Sequence, residues 1–247
     1  MQQMTPWLAL MALCLPLGCA APTQQISARS AAVAKRAESD APAAKRSAAS
    51  AAECPAGQAR VRRGEGTKLV PTAEAFSGAM SGDAITLCPG RAVVDKTLKL
   101  FKVNNVTIEG KGTSLVAPGD FAVVNLSECT NVTLQGVHVV HEIGKWCSQG
   151  CVEVSNSQKV TIRNARLDGS GYFGVVLWKV RESTFEHNLF HNCHYGFSST
   201  NSSGITLKSN TFRDNRGANI YASTPKTFVN DVKADNALGV VGAGKTR

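Results

Sequence analysis

Val106-Thr107-Ile108, Val132-Thr133-Leu134, Val160-Thr161-Ile162, Ser183-Thr184-Phe185, Ile205-Thr206-Leu207 and Lys226-Thr227-Phe228 are six versions of one tripeptide, a threonine between apolar residues or their substitutes. The gaps between successive threonines are 26, 28, 23, 22 and 21 residues. In-out-in alternation marks a half-buried strand, and recurrence at roughly 20 to 30 residues marks one turn of a solenoid. A single unit of this kind cannot close a core. Stacked units can, because each Ile, Leu or Phe then sits about 4.8 Å from its equivalent and the main-chain groups pair between turns.

Other features repeat with the threonines. Ten residues before Thr184, Thr206 and Thr227 stand Gly174, Gly196 and Gly217, followed by Val175-Val-Leu177, Phe197-Ser-Ser199 and Ala218-Asn-Ile220. After the strands come Asn188-Leu-Phe-His-Asn192 and Asn210-Thr-Phe-Arg-Asp-Asn215, with a weaker form at Asn164 to Asp168. Asparagine suits such corners because it tolerates left-handed backbone, bonds nearby main chain and can stack as an amide ladder.

Together these residues resemble the right-handed parallel β-helix repeat proteins of the pectin-lyase-like superfamily, and Gly82-Asp-Ala-Ile-Thr-Leu-Cys-Pro-Gly90-Arg-Ala-Val-Val94 looks like that superfamily's first coil. The resemblance implies an all-β, single-stranded parallel β-helix of about six coils over residues 67–235. It does not specify chemistry, since the scaffold hosts lyases, hydrolases, esterases, epimerases and non-catalytic binders. Leu69 to Met80, with Pro71 near its start and Gly82 past its end, reads as a short N-terminal capping helix over the open end of the stack.

The 247 residues are 43% hydrophobic but only 6% aromatic, so the core is aliphatic. Residues 1–20 read as an export signal, since Trp7 to Leu17 is apolar but too short to span a bilayer. Leu17-Gly18-Cys19-Ala20 resembles a bacterial lipoprotein signal with Cys19 as the acylated residue, while Gly18 and Ala20 also fit ordinary secretion. Residues 21–66 are rich in Ala, Ser and Lys-Arg and read as a disordered tether; residues 236–247 read as a flexible Gly-rich tail. The expected location is the outer membrane or cell surface, with a periplasmic or secreted protein as the alternative.

Of the net charge of +9, nine Lys and Arg against four Asp and Glu between 21 and 68 supply +5. This points to anionic lipid or envelope polymers and away from nucleic acid, which export removes as a partner. The only expected membrane contact is a lipid anchor. Beyond Cys14 and Cys19, six cysteines remain, an even number that suits disulfides in an exported chain. Cys54 with Cys88 would pin the pre-helical segment to the first coil, and Cys147 with Cys151 could clip a long insertion. A zinc site from Cys147, Cys151 and nearby His is disfavoured because one short Cys pair is a weak motif and oxidation is the expected state outside the cytoplasm, and a metal at His187, His191, Cys193 and His194 because no three of them converge; no metal or cofactor is expected.

Stacking turns spacing into neighbours. Asp168, His191 and Arg213 each lie seven residues after a threonine of the run, so His191 falls between a carboxylate and a guanidinium. That set could make a general base with an orienting acid and a holder for an acidic substrate, or only a stabilised corner. A second candidate surface carries Trp178, Tyr221, Asn219, Lys179 and Arg181: two rings on one face two coils apart, about 10 Å, beside cations and an amide, which suits an acidic sugar chain. The competing structural reading packs Trp178 against the insertion that holds Trp146. A threonine lattice for ice is disfavoured because the coil length varies from 21 to 28. The chain lacks a close Asp pair, an acidic calcium cluster, Gly-His-Gly and Asp-Pro-His-Asp. The expectation is therefore a saccharide-binding or envelope-interaction module, with a polyuronate lyase or epimerase second and a structural spacer third.

Overall fold

The computed structural model describes residues 53–142, 147–169 and 171–222, and the backbone of 240–242. The export signal, Cys14, Cys19, most of the expected tether, Trp146 and Thr227 lie outside the described residues.

Thr107, Thr133, Thr161, Thr184 and Thr206 stack in one parallel column beginning at Ala84. Beside them run Ile85, Ile108, Leu134, Ile162, Phe185 and Leu207, none more than 1% exposed. Burying each such side chain contributes about 1.5–3 kcal/mol, so the stack itself builds the core. Among the described residues the strands form sheets of eight, six and seven. Within each sheet, parallel neighbours are one coil apart in sequence, and six parallel rungs of the eight-stranded sheet run from Ala84–Leu87 to Ser203–Lys208. This is an all-β parallel solenoid of about six turns, as expected. The last coils carry aromatic filling, with Phe190 stacked on Phe212 at 4.6 Å and Phe185 edge-on to Phe197 at 4.9 Å.

The corners use polar residues in two ways. Asn105, Asn131, Asn156, Asn164, Asn192 and Asn201 adopt positive φ, the left-handed turn conformation that asparagine tolerates. Other corner side chains point inward and replace main-chain partners where the chain bends. Asn188 Oδ1 accepts from Ala165 N at 3.0 Å and Asn210 Oδ1 from Asn188 N at 2.9 Å. Ser157, Ser183 and Ser202 hydroxyls accept from Cys129, Val160 and Val180 N–H groups, and Asn215 accepts from Cys193 N. Buried main-chain groups thus stay paired through the turns.

The N-terminal end is more elaborate than a lone helix. The helix spans Thr72–Ser77, shorter than the expected Leu69 to Met80, because Leu69 and Val70 belong to strand Gly66–Pro71. That strand forms a hairpin with Gln58–Arg63, which pairs antiparallel with Ala84–Leu87 and covers the first rung. Residues 58–66 are therefore part of the fold and not of the tether, since an uncovered rung would present unpaired main chain. Asp83 fixes this end: its buried carboxylate accepts from Arg63 Nε at 2.8 Å, Arg63 Nη2 at 2.6 Å and Met80 N at 2.8 Å. Cys54 and Cys88 are joined in a disulfide with Cα atoms 5.2 Å apart.

At the other end the sequence register slips. Gly174 and Gly196 share a column, but Ile220 pairs with Phe197 and Tyr221 with Ser198, a step of 23 residues where Gly217 implied 21. The extra length is taken up in the turn around Arg216 and Gly217, whose N–H groups bond Cys193 and His194 carbonyls. Within the expected flexible tail, Val240–Gly242 is a strand parallel to Ile220–Ala222.

Candidate functional site

The outer face of the six-stranded sheet holds a chain of polar contacts. Asp168 pairs in register with His191, and His191 with Arg213, the stacking that the sevenfold offset implied. His191 Nδ1 lies 2.8 Å from Asp168 Oδ1, and its Nε2 lies 3.1 Å from Asp214 Oδ2. Asp214 in turn sits 3.2 Å from Arg213 Nε. The nitrogen that a general base would offer to substrate is thus covered by a carboxylate, so Arg213 meets His191 only through Asp214.

Three residues absent from the sequence reading complete this face. Arg166 grips Asp168 through Nε at 2.9 Å and Nη2 at 2.5 Å. His138 stands one coil before Arg166, with Nε2 3.6 Å from Asp168 Oδ2 and Nδ1 3.1 Å from Ser114 Oγ. Burial alone would raise the Asp168 carboxyl, but hydrogen bonds from His191 and Arg166 and the guanidinium charge hold it below the usual carboxylate range. Burial, then the Arg166 charge, holds His138 below the usual imidazole range. Counting five residues past Thr133 and Thr161 would have found His138 and Arg166, as counting seven found Asp168 and His191.

Beneath this face lie thiols. Cys147 and Cys151 are free and buried, which corrects the expected clip between them. Their side chains turn apart: Cys147 Sγ lies 3.3 Å from Asp120 Oδ1, whereas Cys151 Sγ faces Asp168 O at 3.5 Å and His141 Nδ1 at 3.8 Å. Burial pushes Cys147 up to about 11 and raises Cys151 as well, which keeps both thiols protonated and poorly reactive. His141, 3% exposed, is held inward by Phe121 O at 2.7 Å from Nε2. Among the described residues no group of three or more His, Cys, Asp or Glu is placed to hold a metal ion.

The second candidate surface lies on the seven-stranded sheet. Trp178 is 44% exposed, with Lys179 Nζ 5.7 Å from its ring centroid. Lys179 and Arg181 line a corner groove with Thr130, Asn156, Ser157 and Gln158, two cations and no carboxylate. The register slip moves Tyr221 out of the Trp178 column: Trp178 pairs with Thr200, and Tyr221 with Ser198. The two rings share a face but are offset by about 7 Å along the strand and 10 Å across it. Tyr221 instead joins a cluster that single-strand alternation did not reveal. Its ring is 5.3 Å from Tyr195, Tyr195 stacks on Phe173 at 5.6 Å, and the exposed Tyr172 stacks on His194 at 5.3 Å. Asn219 lies beside this cluster, its Oδ1 accepting from Asn215 Nδ2 at 3.2 Å. The site residues therefore divide into a Trp178, Lys179 and Arg181 end and a Tyr221 and Asn219 end.

Comparison with known proteins identifies one matching family. The profile of the right-handed β-helix region matches residues 95–243. No curated protein matches the sequence. Among solved structures, a "putative glycosyl hydrolase" from Parabacteroides merdae is similar at 12% identity over 62% of this chain and 83% of that one, with a TM-score of 0.39. The Agl-KA catalytic domain is similar at 14% identity over 69% of this chain, which spans 42% of that structure, with a TM-score of 0.31.

Proposed function

Because the chain belongs to the right-handed β-helix family, whose stacked strands fix the spacing of outward side chains, we propose that it is a binding module for an acidic saccharide. The observation that carries this reading is the exposed Trp178 indole beside a groove lined by Lys179 and Arg181 and free of carboxylates. A sugar ring presents C–H groups to an indole face, while a uronate carboxylate takes charge-assisted hydrogen bonds from cations and amides. Tyr221, diagonally across the same face, extends the track toward the tyrosine cluster. Because the rigid scaffold already fixes these groups, little ordering opposes binding.

Titration calorimetry with a soluble oligouronate tests the reading. Trp178→Ala is expected to raise Kd about fivefold, equivalent to ~1 kcal/mol of lost stacking. Arg181→Ala is expected to weaken binding further and to flatten its salt dependence, since the remaining charge contacts are fewer. Unchanged affinity in the Trp178→Ala, Tyr221→Ala double variant would remove this face from the function. A uronate lyase or epimerase is the second reading, favoured by the 2.8 Å Asp168 to His191 contact with Arg213 in the next coil. His191→Ala separates the two: a binder keeps its affinity and forms no product, whereas a lyase loses turnover.

The same proposal places the module outside the cytoplasm, held at the outer membrane or cell surface through lipid on Cys19. It rests on Leu17-Gly18-Cys19-Ala20 and the basic tether that follows. Cys19→Ala is expected to release the protein from the membrane fraction or block its processing, and Cys14→Ala to do neither. A Cys19→Ala protein that fractionates and migrates like the parent would assign it to ordinary secretion.

A further inference from the structure

Ser114, His138 and Asp168 stand on three successive strands of the six-stranded sheet, on the outer face and away from the Trp178 groove. Ser114 pairs with His138, and His138 with Arg166, two residues before Asp168. The hydroxyl lies 3.1 Å from His138 Nδ1, and the opposite ring nitrogen faces the Asp168 carboxylate at 3.6 Å. Asp168 cannot turn away, because Arg166 and His191 hold both of its oxygens. We propose that these residues form a hydrolytic site for small carboxylic esters, with Ser114 as nucleophile, His138 as general base and Asp168 as the carboxylate that orients it.

A hydroxyl, an imidazole and a carboxylate in that order define the Ser-His-Asp arrangement by geometry and role, not by sequence order or fold. The carboxylate favours the tautomer with the proton on His138 Nε2, which leaves the Nδ1 lone pair for the serine proton. Burial and the Arg166 charge keep the imidazole neutral, the form a base needs. His138 Nε2 is buried without a hydrogen-bond partner, the gap to Asp168 being slightly too long. As the ring gains a proton that gap can close, so the contact strengthens when positive charge develops. The outward neighbours also fit. Exposed Val93 and half-buried Val140, two residues beyond Arg91 and His138, give apolar surface for an acyl group, with Val116 buried between them. Arg91, the register partner of Ser114, is itself ion-paired through Nη2 with Glu142.

In the first step Ser114 Oγ bonds to the ester carbonyl carbon and its proton passes to His138 Nδ1. The bond between the carbonyl carbon and the alcohol oxygen then breaks, and the alcohol leaves with that proton. A water molecule, deprotonated by His138, attacks the acyl-serine; the bond to Oγ breaks, the carboxylic acid departs and Ser114 recovers its proton. Ester and water become alcohol and acid, with no redox change.

A fluorophosphonate probe, followed by peptide mass analysis of the full-length protein, tests the assignment. Labelling is expected at Ser114, absent in Ser114→Ala and slowed at least tenfold in His138→Gln. Hydrolysis of p-nitrophenyl acetate is expected to fall in the same order. Both variants replace half-buried outward residues, so an unchanged melting curve confirms that each is folded, and the pair decides even if Asp168→Asn unfolds. The proposal is overturned if Ser114 is not labelled, if His138→Gln is labelled as fast as the parent, or if the parent hydrolyses the acetate no faster than Ser114→Ala.

Discussion

Ile162→Asp is expected to abolish the folded state. Ile162 has no exposed surface and lies mid-stack between Leu134 and Phe185, with apolar neighbours on both adjacent coils. An unpaired carboxylate there would either stay charged in an apolar core or take up a proton and still lack partners, at a cost of several kcal/mol. Lost packing adds to that cost, and total stabilities are only about 5–15 kcal/mol. Far-ultraviolet circular dichroism should show loss of the strand signal and of any cooperative melt. Thr161→Asp, one residue away but outward and half-buried, should retain both. An Ile162→Asp protein melting within a few degrees of the parent would refute the burial register.

The second large effect is expected at Asn188. This side chain is 2% exposed; its Oδ1 accepts from Ala165 N and its Nδ2 donates to Ile162 O at 2.9 Å. Asn188→Ala leaves a buried N–H and a buried carbonyl without these partners, each worth about 1–3 kcal/mol, so a loss of ~3 kcal/mol is expected. For a domain of this size that lowers the melting temperature by roughly 10 °C. Asn192→Ala, at an exposed left-handed turn, should cost about 1 kcal/mol through backbone strain alone. Equal and small shifts in the two variants would show that the inward amide is not structural.

The threonine spacing was a reliable guide because it reports side-chain alternation in strands that must stack. It placed Thr107 to Thr206 in one column and, by offset, Asp168 beside His191. Offsets fail where a turn absorbs residues: Gly217 looks like Gly196, yet the chain spends two more residues before Ile220 enters the core, so Tyr221 lands one side-chain pair away from its expected column. The terminal hairpin was hidden for another reason. Gln58–Arg63 has Val61 and Ala59 as its apolar residues among charged ones, because only one rung needs covering, and composition alone assigned it to the tether. His138 and Arg166 were legible by the same counting that found His191, but Ser114 was not: it lies seven residues after Thr107 yet pairs with His138, five after Thr133, because the intervening turn holds two more residues. Their relation depends on which side chains bend toward each other, which spacing does not encode.

The inward-pointing corner side chains also give the solenoid a direction. Ser157, Ser183, Asn188, Ser202, Asn210 and Asn215 each accept from an N–H of the coil before their own, never of the coil after. At these corners a coil is therefore completed by its successor, which gives the stack a polarity in its side-chain caps although main-chain bonds run both ways between coils. Shortening it from the C-terminal side strips the new last coil of partners it already requires, whereas the N-terminal side ends at a cap with its own closures. Lengthening or trimming such a protein by whole repeats is accordingly not symmetric, and the natural place to graft another coil is ahead of a residue that can serve as its acceptor.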